Sequence, residues 1–223
     1  MKQLLKQIVK KSPLYHPLRN WIVKREQLKE LAEWERKGKP IPQPHIVKQK
    51  VLREYAKKYC LKILVETGTF YGDMIEAMKN DFDIIYSIEL SKYLYQMALS
   101  RFKNKNNIKI IHGDSASKLG RIMHKLSQPA LFWLDAHYSE GVTARGDKDT
   151  PIYEELHLIL NAGDIGHVII IDDARCFGTD PAYPSKEELV EFIRSKKSNV
   201  DIAVLDDSII ITPKQYCLTK GCS

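Results

Sequence analysis

The sequence predicts an α/β fold of the doubly wound type, with a mostly parallel seven-stranded sheet, an antiparallel C-terminal strand and a helical N-terminal arm. From residue 46 onward, short apolar runs alternate with helical patterns, which is typical of parallel strands joined by right-handed crossovers. Only Asp206 and Asp207 separate the last two apolar runs, and a two-residue connection allows only an antiparallel hairpin. The excess of basic over acidic residues lies in the first 62 residues, which hold 17 Lys and Arg against 5 Asp and Glu.

The predicted elements follow one another in a regular order. The arm and its Pro-rich linker, residues 1–45, contain a helix expected over residues 21–37, which Gly38 ends. The domain of residues 46–223 begins with the helix "VKQKVLREYAKKY". Its predicted strands are "KILVE", "DIIYSIE", "IKIIH", "ALFWLD", "HVIIID", "IAVL" and "SIIIT". The helices between the strands are "GDMIEAMKN", "KYLYQMALSRF", "SASKLGRIMHKL", "TPIYEELHLIL" and "KEELVEFIRSK".

Composition predicts a cytoplasmic protein. No apolar run approaches the roughly 18–20 residues that cross a bilayer, and the N-terminal pattern is not that of a secretory signal. The four cysteines are scattered and are expected to be free thiols. Beyond residue 62 the chain has 18 basic and 23 acidic residues, and this acidic balance argues against nucleic acid as a partner.

The basic arm leaves two alternatives open. Leu4, Leu5, Ile8 and Val9 recur at helical spacing with lysines between them, a pattern that suits weak contact with an anionic membrane surface. The alternative is that the arm packs on its own domain or on a second subunit of a homo-oligomer. The pattern is short, and packing is the interpretation that it favours.

Polar residues follow five successive strands at the edge of the sheet where ligands of such folds bind. The first strand runs into "ETGTFYG", in which Gly68 and Gly72 allow a tight turn and a close approach of a ligand to the backbone. The second ends at Glu89, 23 residues beyond Glu66, a spacing at which an acid can accept the hydroxyl protons of a ribose. The next three ends are "HGDS", "DAHYS" and "DDAR".

In this order, "VETGTFYG", "SIEL", "HGDS", "WLDAH" and "IDDAR", closed by the reversed strand, resemble the motifs of class I S-adenosylmethionine-dependent methyltransferases. The resemblance covers about residues 46–213 and implies a Rossmann-like fold that binds S-adenosylmethionine. It implies three groups of cofactor-binding residues: Glu66, Gly68 and Thr69, with the turn closed by Gly72, at the methionine end; Glu89 at the ribose; and Asp114 and Ser115 at the adenine.

One departure from the family pattern lies in the glycine turn, where Phe70 stands in place of a glycine that the family often has. A dinucleotide-binding protein of the NAD type is the rival use of this topology. That class normally carries G-x-G-x-x-G, which "GTFYGD" does not supply.

Asp172 and Asp173 end a buried apolar run, where two adjacent carboxylates repel each other unless they cap a loop or face a cation. The chain is similar here to the catechol-type and macrocin-type O-methyltransferases, which bind a divalent cation through an Asp after the fourth strand and an acid or amide pair after the fifth. The resemblance therefore implies a site for Mg²⁺, or another divalent cation, formed by Asp135, Asp172 and Asp173.

The chemistry that follows is the attack of an acceptor hydroxyl on the sulfonium methyl of the cofactor, assisted by the cation at Asp135. His137, two residues farther on, is the expected general base, since an imidazole titrates near neutral pH. The catechol-type enzymes use a lysine nearby, and Tyr138 stands at the comparable offset. Glu154 and Glu155 lie in the first turn of a predicted helix, where acids favour the helix dipole, and are assigned a structural role.

The sequence thus predicts an S-adenosylmethionine-dependent O-methyltransferase acting on a hydroxyl of a sugar, a glycan or another small-molecule acceptor. "Sugar" rests on analogy and on the scarcity of aromatic residues in the expected pocket loops. The alternative is a non-catalytic module that binds the nucleoside cofactor as a sensor.

Overall fold

A computed structural model describes residues 15–135, 151–163 and 165–214 of the 223-residue chain. The chain divides into two compact units, with the boundary between Lys50 and Val51. The boundary predicted from the sequence, after residue 45, stays a prediction. Among the helices of the described segments, none has both the length and the apolar character needed to cross a membrane.

The first unit contains helix α1, Tyr15–Arg36, and the beginning of helix α2, His45–Lys58, which continues into the second unit. Helix α1 begins six residues earlier than predicted. Pro17 lies in the first turn of this helix, where a backbone N–H would have no intrahelical hydrogen-bond partner, so a proline is tolerated there. Gly38 follows the helix with a φ of 79°, which fits the expected stop.

The second unit is built on one seven-stranded sheet. Its strands are β1 Ile63–Thr67, β2 Ile84–Glu89, β3 Ile108–His112, β4 Leu131–Leu134, β5 Val168–Ile171, β6 Val200–Leu205 and β7 Ser208–Pro213. They lie in the order β3-β2-β1-β4-β5-β7-β6. Strands β1 to β5 pair in parallel, whereas β7 is antiparallel to both of its neighbours, β5 and β6. This confirms the predicted mostly parallel sheet with an antiparallel C-terminal strand.

Helices cover both faces of the sheet, as the alternating pattern predicts. Besides α2, they are α3 Asp73–Met78, α4 Lys92–Phe102, α5 Ser115–Met123, α6 Ile152–Asn161 and α7 Lys186–Lys196, with a 3₁₀ turn at Ala174–Cys176. Residues of α2, α3 and α4 pack with Leu64, Trp133 and Ile170 on one face, and residues of α5, α6 and α7 pack with Val65, Phe132 and others on the opposite face. Side chains alternate between the faces along each strand, and both faces are buried, which explains the unbroken apolar runs.

One of the two described cysteines differs from expectation. Cys176 is a free thiol, as predicted, but Cys60, at the end of α2, is disulfide-bonded, so the expectation of four free thiols is wrong. Cys217 and Cys222 lie outside the described residues.

Candidate functional site

Three aspartates meet at the carboxyl edge of the sheet, as the strand-end pattern predicts. Asp135 follows β4 and its N–H donates to Thr67 of β1 (3.2 Å), while the N–H of Asp172 donates to Leu134 of β4 (3.0 Å). These bonds continue the pairing of adjacent strands by one residue, so the two side chains leave the sheet at the same level. Asp135, Asp172 and Asp173 each offer a ligand atom, and the three atoms lie within 4.8 Å of one another.

This cluster suits a hard divalent cation. Carboxylate oxygens are the preferred protein ligands of Mg²⁺ and Ca²⁺, at about 2.0–2.1 Å and 2.3–2.6 Å respectively. Two ligands on opposite sides of one ion are thus roughly 4.2 Å apart for Mg²⁺ and close to 5 Å apart for Ca²⁺. Asp172 and Asp173 are 4% and 5% exposed, and carboxylates buried to this degree need a compensating charge. The donor set and its spacing therefore fit one shared divalent cation.

An arginine and a fourth aspartate adjoin this cluster. Arg175 donates from Nη1 to Asp173 Oδ1 (2.7 Å) and, through the same nitrogen, to Asp207 Oδ2. The backbone N–H of Arg175 also donates to Asp207 Oδ1 (2.8 Å). Asp207 lies in the turn of the β6–β7 hairpin and is 3% exposed. Neither Arg175 nor Asp207 was predicted from the sequence to belong to the site.

The two aspartates beside Arg175 stabilise its positive charge. Burial alone would lower the pKa of the guanidinium, but Asp173 and Asp207 outweigh this effect and raise the pKa above its usual value. Arg175 therefore stays a cation, and it neutralises part of the acidic cluster from one side.

The glycine turn between β1 and α3 has the strained geometry expected of a close ligand approach. Gly68, Phe70 and Gly72 all have positive φ values, of 85°, 49° and 75°. Phe70 therefore adopts the left-handed conformation that the glycine of the related pattern would adopt without strain. Its ring is 45% exposed and packs against Tyr71 at 4.3 Å between ring centres. Phe70 thus adds an exposed aromatic side chain to a turn in which Gly68 and Gly72 also have positive φ values.

Glu66 and Thr69, predicted at the methionine end of the cofactor, are joined through Ser87 of β2. The hydroxyl of Ser87 donates to Glu66 Oε2, and it lies 2.6 Å from Thr69 Oγ1. Glu66 is 2% exposed, and its burial raises the pKa of the carboxyl to about 8, although the bond from Ser87 lowers it in part. The negative charge of Asp135 raises it further, which places Glu66 electrostatically beside the aspartate cluster.

Glu89, predicted at the ribose, is fixed by two backbone donors. The N–H of Phe70 donates to Oε2 (2.8 Å) and the N–H of Ser91 donates to Oε1 (2.7 Å). Burial raises the pKa of Glu89, and these two bonds offset part of that rise. Each carboxylate oxygen has two lone pairs, so each can accept one further hydrogen bond from a ligand hydroxyl.

Asp114 and Ser115, predicted at the adenine, form the start of helix α5. Asp114 is the N-cap, and its carboxylate accepts from the N–H of Ser117 (3.1 Å). Ser115 is buried and its hydroxyl neighbours the carboxyl of Glu155, which is 1% exposed. The structure thus gives Asp114 a capping role that the resemblance did not imply.

Most residues at this edge of the sheet were predicted from the sequence, whereas the residues that hold them in place were not. The predicted Glu66, Gly68, Thr69, Gly72 and Glu89 lie together at the ends of β1 and β2, and the three aspartates meet after β4 and β5. The predicted base His137, the adjacent Tyr138 and the apolar residues of the arm's first pattern lie outside the described residues. The missed residues are Ser87, Arg175, Asp207 and Arg101. The guanidinium of Arg101 donates to the backbone oxygen of Tyr71 in the glycine turn (2.5 Å) and to Asp73 (2.7 Å). Arg175 belongs to the stretch "IDDAR", but the sequence does not indicate that Asp207 of the hairpin turn is its partner.

No protein-family model matches the chain, and no curated protein matches it. Solved structures do match. The O-methyltransferase TomG from Streptomyces achromogenes, in complex with SAM, aligns with a TM-score of 0.54 and 18% identity over 84% of this chain and 88% of that chain. An O-methyltransferase from Bacillus cereus, in complex with SAH, gives 0.55 and 18% over 84% and 90%. A candidate rRNA methylase from Clostridium thermocellum gives 0.53 and 12% over 73% and 94%.

This chain has the fold of class I methyltransferases. The strand order separates that fold from the NAD-type rival, whose doubly wound sheet has the order 3-2-1-4-5-6. In the present sheet the antiparallel β7 is inserted between β5 and β6. The methyltransferase fold also explains why the polar strand ends collect at one edge, since all five parallel strands end there.

Proposed function

We propose that this protein is an S-adenosylmethionine-dependent O-methyltransferase that uses a divalent cation, preferably Mg²⁺, to bind the acceptor hydroxyl. The observation that carries the proposal is the meeting of Asp135, Asp172 and Asp173 at the edge that also holds the glycine turn of a methyltransferase fold. Two of the similar solved structures are O-methyltransferases with SAM or SAH bound, which supports the same cofactor here.

The cofactor would be held by residues of the first three strand ends. Glu89, fixed by its two backbone donors, would accept the ribose hydroxyls, and Glu66 would face the methionine end. An ammonium group beside Glu66 would favour the ionised carboxylate, opposing the burial that raises its pKa to about 8. Gly68 and Gly72 would let the cofactor approach the backbone, and Ser115 would lie at the adenine.

The acidic cluster would bind and orient the acceptor through the cation. A divalent cation at this position would make the acceptor hydroxyl more acidic and hold its oxygen in line with the sulfonium methyl. Asp135 and Asp172 would supply hard oxygen ligands, and His137 would accept the hydroxyl proton. The acceptor oxygen would form a bond to the methyl group while the bond between methyl and sulfur breaks, and S-adenosylhomocysteine (SAH) would be the product.

We propose a sugar, glycan or other small-molecule hydroxyl as the acceptor. An RNA acceptor is the competing class, because one of the similar structures is a candidate rRNA methylase. The acidic balance beyond residue 62 favours the small molecule, since phosphate contacts need basic side chains. Screening hydroxylated metabolites, glycans and RNA for uptake of a labelled methyl group distinguishes the two classes.

The metal-assisted reaction is tested by calorimetry and methyl transfer with the full chain. Asp135→Asn and Asp172→Asn should abolish the Mg²⁺-stimulated transfer and leave the affinity for SAH within about threefold of the unchanged protein. Asp83→Asn, an exposed aspartate at the amino end of β2, is the matched control. Metal-independent transfer that survives in Asp135→Asn would contradict the role of the cation, and SAH binding without transfer to any acceptor would favour the sensor module.

The ribose assignment has its own test. Glu89→Ala should weaken SAH binding at least tenfold, because two hydrogen bonds to a charged acceptor are lost. Unchanged SAH affinity in this variant would place the cofactor elsewhere.

The role of the basic arm remains a proposal as well. We expect it to contact its own domain or a second copy of the chain, with weak binding to anionic membranes as the alternative. Light scattering and sedimentation with anionic vesicles, each at low and high salt, distinguish a dimer from membrane contact.

A further inference from the structure

The hairpin turn between β6 and β7 is tied to the aspartate cluster through Arg175. We infer that Arg175, fixed in place by Asp207, is a positioning residue that orients Asp173 for the divalent cation. The inference rests on the proposed function, since it assumes that the aspartate cluster binds a metal. It concerns two residues that the proposed reaction does not otherwise need.

The contacts make Arg175 a rigid link. Asp207 accepts two hydrogen bonds from Arg175, one from the guanidinium and one from the backbone N–H (2.8 Å). The N–H of Ala174 also donates to the backbone oxygen of Asp207 (2.9 Å). The hairpin turn thus holds both the backbone and the side chain of the segment that follows the aspartate pair. With Asp207 only 3% exposed, water cannot readily replace these contacts.

The other end of the link is a ligand candidate. Arg175 Nη1 lies 2.7 Å from Asp173 Oδ1, and the side chain of Asp173 is 7% exposed. Asp173 also has a φ of 56°, and its backbone oxygen accepts from the N–H of Cys176 (2.8 Å), so the 3₁₀ turn fixes its backbone. A cation would bind one carboxylate oxygen of Asp173 while Arg175 keeps its bond to Oδ1.

Charge gives the second reason for the arrangement. Three carboxylates whose ligand atoms lie within 4.8 Å repel one another, and each would gain by turning away from the others. One fixed guanidinium beside Asp173 reduces this repulsion before any metal arrives. The four aspartates and Arg175 then have a formal charge of −3, and one divalent cation would reduce it to −1. Partners that orient metal ligands typically change metal affinity by about 10- to 100-fold when they are removed.

The alternative is that Arg175 takes the place of the cation. A guanidinium that merely compensates Asp173 would compete with a metal, so its removal would strengthen metal binding. The two interpretations therefore predict opposite signs for the same measurement.

The experiment is a titration of the full chain with Mn²⁺, a paramagnetic substitute for Mg²⁺, followed by electron paramagnetic resonance. Arg175→Met and Asp207→Asn should weaken Mn²⁺ binding about 10- to 100-fold. Arg175→Lys should stay closer to the unchanged protein, because a single nitrogen contacts both carboxylates in the structure and an ammonium can replace it. Asp206→Asn, at the exposed neighbour in the same turn, is the matched control and should have no effect.

Binding of SAH is measured on every variant, since a misfolded domain would lose it and a positioning defect would not. Unchanged or tighter Mn²⁺ binding by Arg175→Met, with Asp172→Asn inactive in binding, would overturn the inference and leave the metal site standing. If the unchanged protein does not bind Mn²⁺ at millimolar concentration, the metal-assisted function fails and the inference fails with it.

Discussion

The buried carboxyl of Glu155 should make the stability of this protein fall as the pH rises. Glu155 lies in the first turn of α6, is 1% exposed, and has a pKa of about 8 because burial raises it. The hydroxyls of Ser115 and Thr67 are close enough to lower the pKa in part. Neither Thr67 Oγ1 nor Glu155 Oε1 has a hydrogen-bond partner among the described residues, so burial is the stronger effect.

The sign and size of the effect follow from proton linkage. Below about pH 4.5 both the folded and the unfolded chain hold the proton, and Glu155 costs nothing. Between about pH 4.5 and pH 8 only the unfolded chain ionises, so the free energy of unfolding falls by about 1.4 kcal/mol per pH unit. Glu155→Gln removes this ionisation. The stability of the variant relative to the unchanged protein should therefore rise by about 3 kcal/mol between pH 5 and pH 7.5.

Urea unfolding at several pH values, followed by circular dichroism, measures this difference. Any constant cost of placing an amide in the site cancels, because only the change with pH is compared. Glu154→Gln is the control, since this neighbour lies in the same helical turn and is only partly buried. Its stability difference should stay within about 0.5 kcal/mol over the same range. A difference for Glu155→Gln that does not change with pH would refute the burial argument.

Two further substitutions test the support of the glycine turn. Gly72→Ala should lower the free energy of unfolding by about 2–4 kcal/mol, since the new Cβ would lie 2.7 Å from the buried ring of Phe102 and the φ is 75°. Gly163→Ala, with a φ of 92° and nothing within 4 Å of the new Cβ, should lower it by about 1 kcal/mol. Equal losses of stability in urea unfolding would contradict the clash at Gly72. Arg101→Met should lower the free energy of unfolding by about 2 kcal/mol and weaken SAH binding, because the buried guanidinium donates both to the glycine turn and to Asp73 (2.7 Å). Retained thermal stability would show that the ion pair of Arg101 and Asp73 contributes little.

The fold could be predicted because its signals are local. Strands buried on both faces appear as unbroken apolar runs, and "IKIIH", "KYLYQMALSRF" and "KEELVEFIRSK" match β3, α4 and α7 residue for residue. Helix starts were also marked locally, as Ser185 and Glu188 form a capping box at α7. The early start of α1 was not predicted, although the first turn of a helix tolerates a proline such as Pro17.

The supports of the site could not be predicted in the same way, because they join distant segments. Arg175 and Asp207 are 32 residues apart, and they meet only because β7 is inserted beside β5. The sequence does not indicate which aspartate of the hairpin turn faces inward. Glu155 differs in this respect, since Ile152, Glu155, Leu156 and Ile159 recur at helical spacing. This spacing indicates that Glu155 lies on the apolar face of α6. The burial was not predicted, because the acid was explained by the helix dipole.

Burial shifts the pKa of two acids at the carboxyl edge of the sheet in the same direction. Burial raises the pKa of Glu66 to about 8 and also raises that of Glu89, so the folded chain disfavours their ionised forms. A sulfonium or ammonium group beside Glu66, or a divalent cation near Asp135, would stabilise the ionised form by Coulomb attraction in a site that water enters poorly. A ligand without positive charge would lack this attraction at Glu66, although its hydroxyls could still donate to Glu89. Positive charge is therefore the property that we expect to strengthen binding beside Glu66 and Asp135, and S-adenosylmethionine and a divalent metal ion would share it.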